Sequence, residues 1–139
     1  MAAKSVLIVD DDPDQHVLAG MYLGHAGYVV LHARDGREGY EAARERMPSL
    51  ILMDMRMPPP DGAQTFRLLR TDERTNRIPV VAVTADVAAW SESRTLREGF
   101  AGHVAKPCEL SLIRDVVARL IGPADAPPRD MASFAATLL

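Results

Sequence analysis

Short apolar stretches alternate with longer amphipathic stretches five times along the chain. The apolar stretches are rich in β-branched residues, as in strands covered on both faces, and lie at about 6–10, 28–33, 50–54, 79–84 and 101–105. The stretches that follow them repeat apolar residues at helical spacing and predict helices at about 12–25, 35–47, 61–73, 86–98 and 109–120. This alternation is typical of βαβ units, so we expect an α/β fold with a doubly wound parallel sheet.

Polar residues stand where four of the predicted strands end. Asp10 and Asp11 close the first strand, Asp54 the third and Thr84 the fourth, and Lys106 follows the fifth. Because the carboxyl ends of parallel strands meet at one edge of the sheet, these side chains should converge. Three carboxylates repel one another, and a hard divalent cation such as Mg²⁺ resolves that conflict by binding their oxygens. The pattern therefore predicts a cation site beside an aspartate that can attack phosphorus, with a lysine to pair a phosphate oxygen.

Composition excludes several classes of function. The 139 residues suit one domain, and a formal net charge of −3 provides no basic face for nucleic acid. The single cysteine, Cys108, excludes an internal disulfide and fits a reducing compartment. No apolar stretch approaches the ~20 residues that cross a bilayer, and no signal region precedes the first strand. We therefore expect a cytoplasmic protein that makes no membrane contact.

The last part of the chain differs from the rest. Three prolines between Gly122 and Arg129 mark a break, which divides a domain at 1–122 from a linker and short helix at 123–139, with no output domain. Within 130–139, apolar residues fall at helical spacing: Met131, Phe134, Ala135 and Leu138. Two alternatives stay open, a loose terminus or a helix that docks on its own domain or on a second copy, with Trp90 as a candidate contact. Trp90 itself is either a core residue or an exposed partner anchor.

Taken in order, these motifs resemble the receiver domain of the two-component response regulator family. The resemblance covers residues 5–121 and rests on four stretches: Val9-Asp10-Asp11, Asp54 to Pro58 with Asp61-Gly62 behind it, Val83-Thr84-Ala85, and Ala105-Lys106-Pro107. It implies a flavodoxin-like (βα)5 sandwich with a parallel sheet of strand order 2-1-3-4-5.

The resemblance also implies a role for individual residues. Asp54 would be the phosphoacceptor and a metal ligand, and Asp11 a direct ligand of Mg²⁺, or of Mn²⁺ in its place. Asp10 would act mainly through metal-bound water, and the backbone carbonyl of Arg56 would complete the protein ligands. The phosphoryl oxygens would be held by a further set of switch residues: Thr84, Ala85 and Lys106.

Two places depart from the commonest pattern of the family. His103 stands three residues before the lysine, where an aromatic switch residue is usual, and its ring could move similarly. Arg56 and Asp86 flank the path by which water reaches the phosphoryl group in the family. We expect these two residues to tune phosphoryl lifetime, and they could face each other as an ion pair.

The function that follows is a phospho-accepting signalling module of a two-component phosphorelay. Its expected partners are a sensor histidine kinase or histidine phosphotransfer protein, an unknown downstream protein target and a second copy in a homodimer. A free-standing regulator is favoured, and the alternative is a receiver cut from a hybrid kinase or multidomain regulator. A phosphohydrolase of the haloacid dehalogenase type is the distant alternative, because that class needs an aspartate where Arg56 stands.

Overall fold

The structure, a computed structural model, describes residues 3–107 and 109–124. Strands and helices alternate strictly along the described residues. The strands are β1 (Ser5–Val9), β2 (Val29–Ala33), β3 (Leu50–Asp54), β4 (Val80–Thr84) and β5 (Gly102–Ala105). The helices are α1 (Pro13–His25), α2 (Gly36–Arg46), α3 (Gly62–Thr71), α4 (Glu92–Arg97) and α5 (Leu110–Ile121). The predicted alternation is confirmed, with most element ends within two residues of their expected positions.

The strands of the described chain form one parallel sheet in the order β2-β1-β3-β4-β5. This is the predicted flavodoxin-like order, with β1 and β3 side by side near the centre. Val9 is level with Met53 in the register of those two strands, so the next residues, Asp10 and Asp54, lie side by side at the carboxyl edge of the sheet. Topology thus brings together two carboxylates that lie 44 positions apart in the sequence.

Apolar side chains cover both faces of the sheet. Along β1 the alternation of a strand sends Leu7 and Val9 to one core and Val6 and Ile8 to the other. The first core includes residues of α2 and α3, and the second is closed by α1 and α5. Burial on both faces explains why the central strands read as continuous apolar runs. It also makes any charged residue at their ends expensive unless the charge is paired.

The predicted start of α4 at Asp86 was wrong. The helix begins at Glu92, where the side chain of Ser91 caps it by accepting from Arg94 N at 3.1 Å. Residues 86–90 form a turn instead, closed by a bond from Trp90 N to Asp86 O at 2.9 Å. Serine satisfies the free amides of a first helical turn well, which explains the late start.

Trp90 therefore precedes α4 and does not lie on it. Its half-buried ring meets Phe100 edge to face, with centroids 6.0 Å apart, and the Arg94 guanidinium lies 4.1 Å from its centroid. These contacts favour the core interpretation of Trp90 over the partner anchor.

Some sequence predictions fall outside the described residues. They concern Cys108 and the segment 125–139, which includes the predicted terminal helix. Across the part of the chain that is described, helices are too short or too polar to cross a membrane.

Candidate functional site

Two buried carboxylates and one ammonium group meet at the carboxyl edge of the sheet. Asp10 follows β1 and Asp54 ends β3, and each is about 5% exposed or less. Lys106, which follows β5, places its Nζ 3.0 Å from Asp10 Oδ2 and 3.7 Å from Asp54 Oδ1. The strand-end residues predicted to converge are therefore in contact, with the lysine shared between the two acids.

Asp54 is the most perturbed acid of this group. Burial raises the pKa of its carboxyl to about 6, and the nearby charges of Asp10 and Asp11 act in the same direction. A bond from Arg56 N to Asp54 Oδ1 at 3.2 Å, together with the charge of Lys106, opposes that rise in pKa. The site thus holds more negative charge than its own residues neutralise.

The pKa of Lys106 is raised by its acidic neighbours, although burial alone would lower it. Desolvation alone would lower the pKa of Lys106, but its hydrogen bond to Asp10 and the charges of Asp10 and Asp54 raise that pKa above its ordinary value. Lys106 is therefore a permanent cation near neutral pH. Its ammonium group can pair with a further anion at the same edge of the sheet.

Asp11 completes an oxygen cluster on the solvent side. It is exposed, and one carboxylate oxygen from each of Asp10, Asp11 and Asp54 lies within 4.8 Å of the others. Asp10 is held in place by a bond from Asp12 N to its Oδ1 at 2.9 Å. An all-oxygen, carboxylate-rich set with one open side suits a hard divalent cation that keeps several waters. The donor set therefore fits Mg²⁺ or Mn²⁺.

The end of β4 forms another wall of the site. Thr84 is fully buried, and its Oγ1 accepts a hydrogen bond from Asp86 N at 3.0 Å. Its carbonyl accepts from Lys106 N at 2.8 Å, which fixes the lysine backbone beside β4. Ala85 follows and is exposed. The Thr84 hydroxyl and the small Ala85 side chain thus lie at the edge of the sheet where Lys106 follows β5.

The suggested ion pair between Arg56 and Asp86 is not formed. Within the described chain, the Asp86 carboxylate accepts from Ala89 N at 3.0 Å, and no ion pair joins it to Arg56. The reason is the turn at 86–90, which uses this carboxylate as a local cap. Arg56 is exposed beside Asp54.

His103 is tied to the segment that follows β4. Its half-buried ring donates from Nε2 to the carbonyl of Trp90 at 2.9 Å. The bond ties β5 to the turn that follows β4, the turn that also contains Asp86. The His103 ring therefore has a defined hydrogen-bond partner, the carbonyl of Trp90, in the segment between Thr84 and α4.

Two features of the site were missed by the sequence analysis. A Cβ on Gly62 would lie 2.5 Å from Asp54 O and 2.6 Å from Met55 Cα, so only glycine lets α3 approach the end of β3 so closely. The sequence does not single out His16, but its Nε2 donates to Asp10 O at 2.7 Å. Its Nδ1 meets His32 Nδ1 at 2.8 Å. His32 is level with Ile8 on the neighbouring strand, so the pairing depends on register.

Fold and site together define a class of signalling domain. Residues 6–118 match the response regulator receiver domain family, and the chain belongs to that family. It is thus a receiver domain of a response regulator, a signalling module of the two-component type and not an enzyme in the usual sense.

Individual relatives agree with this assignment. The chain is 33% identical over 121 residues to the polar-differentiation response regulator DivK of Brucella ovis, with 87% of this chain and 98% of DivK covered. The receiver domain of a sensor histidine kinase from Pseudomonas aeruginosa superposes with a TM-score of 0.78 at 30% identity, covering 87% of this chain and 99% of that one. The chemotaxis protein CheY4 of Vibrio cholerae superposes with a TM-score of 0.78 at 25% identity, covering 86% of this chain and 99% of CheY4.

Proposed function

We propose that Asp54 accepts a phosphoryl group and that the resulting change is read by partner proteins. The observation that carries this proposal is the shared Lys106 ammonium, 3.0 Å from Asp10 and 3.7 Å from Asp54, beside an aspartate buried at the end of β3. An oxygen of the Asp54 carboxylate forms a bond to phosphorus as the bond from phosphorus to the leaving group breaks. The leaving group takes the electron pair of that bond.

The acidic cluster would hold a divalent cation during this transfer. Asp11 and Asp54 would bind it directly, Asp10 mainly through water, and the Arg56 carbonyl would complete the protein ligands. When bound, Mg²⁺ or Mn²⁺ neutralises carboxylate and phosphoryl charge. The related Pseudomonas receiver domain has a magnesium ion coordinated in its active site cleft, which supports this assignment.

Thr84, Ala85 and Lys106 would hold the phosphoryl oxygens. The Thr84 hydroxyl accepts from Asp86 N, and turning it toward a phosphoryl oxygen would change the turn that this bond supports. His103 bonds to the same turn through Trp90 O, so we infer that its ring reports the change to the β5 edge. Phosphorylation would thus bias a two-state element between β4 and α4.

The phosphoryl donor would be a sensor histidine kinase or a histidine phosphotransfer protein in the cytoplasm. The output would be contact with a downstream protein or with a second copy of this chain. Membership of the receiver family supports this class of donor and this kind of output.

The test is mass spectrometry after incubation with acetyl phosphate and Mg²⁺. We expect a gain of about 80 Da, lost on treatment with hydroxylamine, as for one acyl phosphate. Asp54→Asn should remove the gain, and a chelator should suppress it. The matched control is Asp12→Asn, which changes a neighbouring carboxylate and keeps a good helix cap, and it should label normally. Labelling that survives Asp54→Asn would refute the proposal.

A further inference from the structure

An apolar cavity of about 460 Å³ lies at the edge of the sheet opposite the acidic site. It is open to solvent between the last turns of α1 and α5, and its walls are formed by Tyr22, His25, Ala26, Tyr28, Arg114, Ala118, Pro123 and Ala124. A cavity of this size is in the range that binds small ligands or several apolar side chains. Its walls are mainly rings and methyl groups, so they favour an apolar occupant.

The cavity walls lack the features of a catalytic site. The Arg114 guanidinium lies 5.6 Å from the Tyr22 ring centroid, so its charge is in contact with an aromatic face. The Tyr28 hydroxyl donates to a backbone carbonyl, that of Gly122, at 2.8 Å. The principal hydrogen-bonding and charged groups of the wall are thus already engaged within the domain. Most of the surface exposed in the cavity is apolar.

The chain itself passes along the rim of this cavity. The Tyr28 hydroxyl anchors Gly122, and Lys4 Nζ donates to Pro123 O at 2.8 Å. Gly122 takes a φ of +81°, which turns the chain away from the axis of α5. Pro123 and Ala124 then form part of the wall, so the segment 125–139 starts at the cavity itself.

We propose that the apolar stripe of the segment 130–139 occupies this cavity of its own domain. The stripe consists of Met131, Phe134, Ala135 and Leu138, and the six residues 125–130 that precede it can extend about 20 Å, enough to fold back over the rim. A tether this short gives a high effective concentration, which favours the attached segment over a separate ligand. A helix of this length is marginal in water and gains stability when its apolar face is buried.

The cavity also replaces Trp90 as the acceptor of the segment. Trp90 packs with the core that lies on the α2 and α3 face of the sheet, whereas the cavity adjoins the α1 and α5 core. The segment 125–139 would thus be part of the receiver unit, covering an apolar surface that residues 1–124 alone would expose. Its position away from Asp54 predicts that docking leaves phosphorylation intact.

The first test is hydrogen exchange followed by mass spectrometry on the full chain. We expect the peptide spanning 130–139 to exchange about tenfold more slowly in the wild type than in Phe134→Asp. Ser133→Asp adds the same charge on the opposite side of the stripe, so that variant should keep the wild-type protection. Acetyl phosphate labelling of Asp54 should be equal in all three proteins, which shows that the receiver site is folded. Equal exchange of this peptide in the wild type and in Phe134→Asp would overturn the proposal.

A cross-linking experiment separates the same chain from a second copy. In a Cys108→Ser background, Ala118→Cys and Phe134→Cys place one thiol on the cavity wall and one on the stripe. We expect oxidation to give an intrachain disulfide and a monomeric band, at a rate that is independent of protein concentration. A disulfide-linked dimer whose yield rises with concentration would assign the cavity to a second copy and would overturn the intrachain proposal.

Discussion

Removing the charge of Asp54 should stabilise the protein in the absence of metal. Asp10, Asp11 and Asp54 crowd one edge of the sheet, and Lys106 is the ammonium group in direct contact with two of them. Asp54→Asn keeps the size of the side chain and leaves Lys106 paired with Asp10. The change therefore removes one buried charge without leaving another buried charge unpaired.

The size of the effect follows from the pKa of Asp54. A pKa that burial raises from 3.8 to about 6 corresponds to about 3 kcal/mol of destabilisation when the group is ionised. Solvent reaches the cluster on the side of Asp11, so we reduce this figure to about 1–2 kcal/mol. For a domain of this size, Asp54→Asn should then raise the melting temperature by about 3–8 °C at pH 7.5 in a chelator.

The pH dependence gives the sign of the effect. Because the folded pKa of about 6 lies above the unfolded value, the folded wild type binds the extra proton and gains stability as the pH falls through 6 toward 4. The advantage of Asp54→Asn should therefore be largest above pH 7 and disappear near pH 4. Added Mg²⁺ should stabilise the wild type by ligand linkage and reduce the difference.

The assay is urea unfolding of both proteins at several pH values with a chelator present. Glu73→Gln is the matched control, because it removes one negative charge at an exposed position away from the cluster. That variant should change the free energy of unfolding little. If Asp54→Asn is no more stable than the wild type at pH 7.5, or if its advantage persists unchanged at pH 4, then burial and crowding do not govern this carboxyl group.

Three further predictions test other parts of the site. Asp11→Ala should abolish Mg²⁺-dependent acetyl phosphate labelling, measured by intact mass, and an undiminished response to Mg²⁺ would contradict the proposed ligand set. Shortening the exposed Arg56 to Ala should speed loss of phosphate severalfold by opening the path of water, and equal decay of the isolated phosphoproteins would exclude that gating. Gly62→Ala should lower the free energy of unfolding by about 1–3 kcal/mol, since its Cβ would meet Asp54 O at 2.5 Å. Gly24→Ala, where a Cβ meets no atom within 4 Å, serves as its control.

The strands and helices that were predicted correctly follow from local sequence patterns. The same patterns also determine how the strands are arranged in the sheet. Continuous apolar runs occur in strands that are covered on both faces, and the alternation with helices fixes a parallel sheet. Once the strands are parallel, Asp10, Asp54 and Lys106 must end at the same edge. The contact between them could therefore be expected from the sequence before any distance was known. The distances themselves, and the sharing of one lysine by two acids, required the register of β1 and β3.

The parts that were missed depend on competition between local caps and on contacts across strands. Asp86 and Ser91 can each cap a helix start, and the sequence does not show which one does; the structure uses Asp86 in a turn and Ser91 at α4. That choice removed the expected pairing of Asp86 with Arg56. His16 and His32 meet because β2 lies beside β1 in a given register, which residue spacing alone does not encode.

The Gly62 case shows how the site and the stability of the fold are connected. Helix α3 begins directly behind Asp54, with Asp61 and Gln64 forming a reciprocal cap, so the start of α3 packs against the backbone of Asp54. Burial of the Asp54 carboxylate at this edge raises its pKa. A cation bound at this edge would offset the repulsion between the carboxylates. The repulsion between the carboxylates is thus largest when no cation is bound. The conformation of this edge of the sheet should therefore respond to cation binding.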